Sequence, residues 1–377
     1  VPSYPIARAV AGRIHQHFAR NLTAELERGG TELAPLPDEA AIETMIDAAF
    51  WASLRQNERY PLKVTMAWLA PGDTRLPMNF SQRLPLDVEA VTRLAPAVER
   101  PGVHLGVWRD ESGFHIWGAT RRLPALCFVL EVLAPGFLVV KHRRSQESGK
   151  YVNVAVLEGD RIKILNPQPV NLQHSPCFVS SLFGVESPAP LGSSTNVMIQ
   201  LAVSMREHGR GGSLLVVPHG SDTWRESMAT PVPYAVLPAY TELADLIRQE
   251  SEQRQQPRWQ EGLRRSIDVV AGLTAVDGAM VMTDRCELLG FGAKIGRRDG
   301  WARVEQVIDS EPVEGTTPHL VHPSHLGGTR HLSGAQFGQD QRDSVAMVAS
   351  QDGRFTVFAW SAPSQVVQAY RVETLLL

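Results

Sequence analysis

Asp277-Gly278-Ala279-Met280-Val281-Met282 puts an acid and two small residues directly before a short, unbroken apolar run. Further on stands Gly327-Gly328-Thr329-Arg330-His331-Leu332-Ser333-Gly334-Ala335. The first stretch reads as a buried strand entered from an acidic tip. Ligand sites of open sheets gather at strand ends. Gly278 and Ala279 leave room beside the carboxylate, so Asp277 could hold a divalent metal or orient a ribose hydroxyl. Taken alone it would read as a turn or N-cap aspartate. The second stretch reads as a helix start. Two glycines let the backbone approach a ligand closely. Free N–H groups and the helix dipole favour an anion. Thr329 adds a hydroxyl, Arg330 a bidentate fork and His331 another donor or a metal ligand. Taken alone this would read as an ordinary polar helix start. Together the two stretches form an acid and a phosphate cradle, each joined to apolar strands, and that pairing is more specific than either part.

Working outward, the second half of the chain alternates helices and strands. A helix is expected over about 195–208, with Val197, Met198, Leu201 and Met205 on one side. Ser213–Val217 is continuously apolar, as suits a central strand covered on both faces. Helices are expected at about 240–250 and 259–273. Thr283-Asp284-Arg285 turns the strand after Asp277 into Glu287–Phe291. Strands over 344–349 and 355–360 are joined by Ser350-Gln351-Asp352-Gly353, whose Asp-Gly pair signals a hairpin.

The first half has a different texture. Ile6, Val10, Ile14 and Phe18 recur at a helical interval. Asp38 is placed to cap a second helix carrying Ile42, Met45, Ile46, Ala49, Phe50 and Leu54. From Tyr60 to about Leu165 the pattern is that of strands and hairpins. The Pro- and Ser-rich stretch 166–194 reads as the connection between domains. The fold class expected is therefore mixed α/β, with an α+β N-terminal domain over 1–175 and an αβ domain with a central mixed sheet over 190–377.

Composition sets limits. At roughly 100–200 residues per domain, 377 residues predict about two domains. With 43% hydrophobic residues there is ample material for a core. The formal net charge is −3, from 37 Lys and Arg against 40 Asp and Glu. That balance argues against a protein that holds duplex DNA by blanket phosphate neutralisation. Three well-separated cysteines, Cys127, Cys177 and Cys286, form no disulfide framework. No run is long and apolar enough to span a membrane, and no signal-peptide pattern is visible, so a cytoplasmic location is expected.

The two motifs resemble those of the diadenylate cyclase catalytic domain family. That family carries Asp-Gly-Ala on a strand and Gly-Thr-Arg-His-Arg at a helix start. Here these stand as Asp277-Gly278-Ala279 and Gly328-Thr329-Arg330-His331. Gly212–Val217 resembles the family's earlier glycine-led strand, and Arg342-Asp343-Ser344-Val345 its step into the next one. The resemblance covers about 195–360. The whole layout, N-terminal module included, is similar to the branch called DACNV, described as probable sensors. The resemblance implies two domains that face each other as a homodimer, each holding one ATP. Each 3′-hydroxyl attacks the other α-phosphate, giving cyclic di-AMP. It also implies Mg2+ or Mn2+, with Asp277 as metal ligand or base. Gly278 and Ala279 would lie against the nucleoside, and Gly328, Thr329, Arg330, His331 and Ser333 would hold phosphates.

The chain departs from that pattern at three places. Val276 stands where the membrane-linked branch usually has His. Leu332 stands for the second Arg of Arg-His-Arg. Gln339 and Asp340 stand where many members carry a metal-associated Glu. These changes remove a cation and candidate metal ligands while leaving the cradle. The expectation is a sensor that binds ATP or a cyclic dinucleotide with little or no turnover, against the alternative of an active cyclase using compensating ligands. Three other readings are weighed. His319, His322, His325 and His331 are close in sequence, but Pro318 and Pro323 interrupt them and no His-Glu-x-x-His pattern is present. Pro218–Asp222 has hydrolase residue types without a Gly-x-Ser-x-Gly elbow. The basic run Lys141–Arg144 reads as a solvated strand end.

Overall fold

The computed structural model describes residues 3–55, 61–100, 102–143, 151–166, 175–182, 194–254 and 256–377. Chain contacts divide it into two compact units, Val1–Asn166 and Pro167–Leu377. Each is built on a mixed sheet with helices, so the mixed α/β class holds.

The first unit opens with α1 (Pro5–Glu27) and α2 (Glu39–Ser53). Val10, Ile14 and Phe18 are buried along α1, as the four-residue interval predicts. Asp38 caps α2, its Oδ1 accepting the Ala41 N–H at 2.7 Å. There follow β1 (Val64–Trp68), β2 (Pro77–Pro85), α3 (Val88–Val98), β3 (His104–Asp110), β4 (Gly113–Thr120), β5 (Phe128–Ala134), β6 (Phe137–Arg143), β7 (Tyr151–Glu158) and β8 (Arg161–Ile164). Their order in the sheet is β2-β4-β3-β1-β5-β6-β7-β8. Only alternate residues can face the helices. Val64, Met66 and Trp68 join the helix-side core, while Ala67 and Leu69 pack with Ala34, Leu123 and Cys127 on the other face. Helix α3 is a correction to the expectation of strands throughout this stretch. It is capped by Asp87, whose Oδ1 accepts from Ala90 N at 2.8 Å, and it buries Ala90, Val91, Ala95 and Val98.

Most of the expected connection lies outside the described residues, as does Arg144 of the basic run. The second unit contains α4 (Cys177–Leu182), α5 (Ser194–Glu207), β9 (Gly212–Val217), β10 (Tyr234–Tyr240), α6 (Glu242–Arg248), α7 (Ser251–Arg254), α8 (Pro257–Leu273), β11 (Ala279–Thr283), β12 (Leu288–Ala293), β13 (Val307–Ser310), β14 (His319–Val321), α9 (Thr329–Asp340), β15 (Val345–Ala349), β16 (Phe355–Ser361) and β17 (Val366–Arg371). The sheet order is β10-β12-β11-β9-β15-β16-β17-β13-β14. One face packs on α5 and α8 through Leu214, Met280, Met282 and Met347. The other packs on α9 through Leu215, Val281, Val348 and Phe358. Helices on both faces explain why β9 and β11 read as unbroken apolar runs.

Register sets where the ends of these strands meet. β9 and β11 run parallel, with Ala279 opposite Ser213. β12 and β15 run antiparallel to them, with Ala293 opposite Ala279 and Ala349 opposite Gly212. The starts of β9 and β11 and the ends of β12 and β15 therefore share one edge of the sheet.

Candidate functional site

That edge collects both sequence motifs. Asp277 and Gly278 lead into β11, and Asp277 is 89% exposed. Lys294, the first residue after β12, donates to Asp277 Oδ2 at 2.6 Å. The hydrogen bond and charge of Lys294 hold the Asp277 carboxyl below the usual carboxylate range, and the nearby charge of Arg330 adds to this. Gly278 has φ +114°, and a Cβ there would stand 2.6 Å from the Gly292 carbonyl oxygen. Gly292 lies in turn under the Tyr234 ring, which stacks on Phe291 with centroids 4.9 Å apart. Ala279 is buried in the sheet.

Helix α9 begins at this same edge with Gly328 as N-cap. Thr329 and Arg330 are exposed in its first turn, and space is open around the Gly328 Cα. Arg330 reaches back over Gly211, just before β9. A Cβ on Gly211 would lie 3.0 Å from the guanidinium Nη1 and 3.2 Å from the Ala349 carbonyl. Arg330 thus lies over the entry to β9 while its charge acts on Asp277, at the entry to the neighbouring strand.

His331 takes a different position from its neighbours. It is 2% exposed, its ring stands edge-on to Phe358, and Gly327 makes room for it. Burial pushes its pKa down, which favours the neutral ring, and Nε2 has no hydrogen-bond partner among the described residues. Ser333 is half-buried and opens on a cavity of about 360 Å3, also lined by Ile295, Arg297, Arg303, Leu332 and Gln336. Its Ile295 directly follows Lys294 in the chain. Two arginines from another segment line it beside Leu332.

Gln339 and Asp340, read in the sequence as standing at the metal position, are at the far end of α9. Gln339 donates to the Ala302 carbonyl, and Asp340 accepts the Arg298 N–H at 2.8 Å. The turn that does reach the site edge is Ser350–Gly353. Gln351 donates to the Arg210 carbonyl, and Arg354 donates to Leu326 O while pairing with Asp352. A hydrogen bond from Ser350, partly offset by burial, holds Asp352 low, and its charge reaches His331. Lys294 and this turn were missed from sequence because only strand pairing brings them beside the motifs.

Mg2+ is usually held by one or two carboxylates together with substrate phosphates. Asp277 supplies one carboxylate here, already bonded to Lys294. Among the described residues no group of three or more His, Cys, Asp or Glu side chains is placed to hold a metal. The donor set does not fit a resident divalent cation. Of the histidines noted in the sequence, His322 and His325 are in edge-on ring contact, His331 is buried, and among the described residues they belong to no group of three or more potential metal ligands. A general base works best with a pKa near the operating pH. Asp277, bonded to Lys294 and with its carboxyl held below the usual range, is placed as a charged hydrogen-bond acceptor.

Among the described residues no helix is long and apolar enough to cross a membrane. No curated protein matches the chain. A family model described as the probable sensor domain DACNV matches residues 31–121. That span runs from the approach to α2 through β4, inside the first unit and apart from the stretch that carries the two motifs. The match supports a sensor role for the protein.

Proposed function

We propose that the second unit is a nucleotide-binding domain related to the diadenylate cyclases. It recognises ATP or a cyclic dinucleotide, turns it over weakly or not at all, and serves a sensor protein. The observation that carries this reading is the shared edge. Arg330 lies over Gly211 and acts electrostatically on Asp277, and Lys294 completes the cluster. Phosphate would meet the N-terminus of α9, Thr329 and Arg330, with Ser333, Arg297 and Arg303 extending the donors along the adjoining cavity. Asp277 would accept a hydroxyl of the sugar. His331, neutral and buried, would support the first turn of α9 from beneath rather than donate from the surface.

A sensor reading fits a carboxylate that Lys294 has neutralised. The second reading, an active cyclase, draws on the exposure of Asp277. It needs Mg2+ or Mn2+ brought in with the triphosphate at that carboxylate, and a second copy of the chain face to face. One incubation separates them: ATP with Mn2+ or Mg2+, followed by mass spectrometry for cyclic di-AMP. The expected result is little or no product, with ATP or a cyclic dinucleotide binding in calorimetry. Product that disappears in Asp277→Ala establishes the enzyme instead. Absence of binding to ATP and to cyclic dinucleotides removes both readings. Arg330→Ala is expected to weaken nucleotide binding by about 1.5–3 kcal/mol, the range for a hydrogen bond to a charged group. An unchanged dissociation constant would place the phosphate elsewhere.

A further inference from the structure

A second cavity, of about 560 Å3, lies at the other end of α9. Its lining includes Trp301, Arg303, Gln306, Gln339, Arg342 and Trp360. At 1.5 Å per residue, Gln339 stands roughly 15 Å along the helix from the phosphate-binding turn. The strand that follows Arg342 begins here and ends at the Asp277 edge. The cavity shares Arg303 with the one beside Ser333, but the rest of its lining is its own.

Three features point to a ligand. Arg342 lies against two indoles, with its Cζ 4.0 Å from the Trp360 ring centroid and 5.0 Å from that of Trp301. A stacked guanidinium keeps its N–H edge available for a phosphate or carboxylate. Trp301 carries a second guanidinium, that of Arg298, at 5.0 Å, and Arg298 is itself paired with Glu226. No ion pair ties Arg342 or Arg303 to a carboxylate among the described residues, although Glu305 stands in the lining. The site is a wide-open depression rather than an enclosed cleft, and its volume lies within the roughly 300–1,000 Å3 of small-molecule sites. Indole surface beside a stacked arginine whose N–H edge is open, together with two glutamine amides, matches a planar ring joined to an anion. The chain's net charge of −3 disfavours a long polyanion.

We propose that this cavity is a second ligand site, for a free nucleoside monophosphate or the equivalent unit of a small nucleotide, separate from the site at Asp277. Arg342 would take the phosphate, the indole surface of Trp301 and Trp360 that its guanidinium leaves uncovered the base, and the glutamines its polar edge. The proposal does not depend on the reading of the first site.

The test uses the full chain carrying Arg330→Ala, which weakens the first site, and AMP as the probe. Calorimetry and tryptophan fluorescence follow binding. AMP is expected to bind saturably with quenching. Arg342→Gln, an exposed substitution, is expected to lower affinity by about tenfold or more in the same background. Trp360→Leu should do the same. Adenosine and ribose 5-phosphate, each lacking half of the recognised unit, are expected to bind at least about tenfold more weakly. The proposal is overturned if AMP fails to bind the Arg330→Ala protein. It is equally overturned if Arg342→Gln and Trp360→Leu leave the affinity unchanged. Binding that resists Arg330→Ala but is lost with Arg342→Gln upholds this site even if the Asp277 reading fails.

Discussion

Gly278→Ala is expected to destabilise the second unit by about 2–6 kcal/mol and to abolish nucleotide binding at Asp277. Two costs combine. Gly278 has φ +114°, a conformation that side-chain-bearing residues rarely adopt, and such strain costs of order 1–3 kcal/mol. The new methyl would also meet the Gly292 backbone, 2.6 Å from its oxygen and 2.8 Å from its Cα. Backbone cannot swing aside as a side-chain tip can. Gly292 is itself held at φ +73° beneath Tyr234. Forcing extra volume into a packed site typically costs about 1–3 kcal/mol. Any relief must separate β11 from β12, and that moves Lys294 away from Asp277. Urea unfolding of the full chain, with hydrogen exchange assigning the transition to residues 194–377, measures the first effect. Calorimetry measures the second. An unchanged midpoint together with unchanged affinity would show that the close approach of Gly278 to Gly292 has no consequence.

Acid is expected to loosen the first unit through two histidines. Burial lowers the pKa of His17, on α1, to about 4, with His142 and Arg20 adding like charge. Burial also lowers His104, on β3, to about 4, with Lys141 adding to the shift. Unfolded histidine titrates near 6.5. Between those values the unfolded chain binds protons that the folded chain refuses. The contribution is therefore full above about pH 6.5 and lost as the pH falls through about 4. Each group contributes at most about 3 kcal/mol on this arithmetic. Hydrogen-exchange protection within residues 3–166, followed from pH 7 to 4, should fall steeply. The double variant His17→Gln/His104→Gln should show a markedly shallower fall. Parallel profiles for the two proteins would mean that other groups carry the acid sensitivity.

Local signals in the sequence were read correctly where a residue's role depends on its chain neighbours. Asp38 caps α2 because a carboxylate placed three residues ahead can reach the Ala41 N–H. Gly328 stands at the N-cap of α9 without a side-chain cap, where the absence of a side chain leaves the helix start open. The apolar runs of β9 and β11 announce strands covered on both sides. Helix α3 escaped notice because it is short, lies among strands and carries Pro96. Strand β10 escaped notice because it is an edge with mostly exposed residues and follows Pro231 and Pro233. His331 was expected to face ligand like its neighbours. A helix places successive residues on different faces, and the room left by Gly327 lets the imidazole turn under the loop towards Phe358.

The order of residues alone determined that this chain would carry an acidic strand tip and an anion-ready helix start on a layered α/β framework, because caps, turns and hydrophobic periods are short-range properties. Whether those two features face one another was settled by pairing between distant strands. The antiparallel match of β12 to β11 delivers Lys294 to Asp277, and the parallel match of β9 to β11 places Gly211, the floor under Arg330, on the same edge. A shift of one residue in either register would turn those side chains to the other face of the sheet.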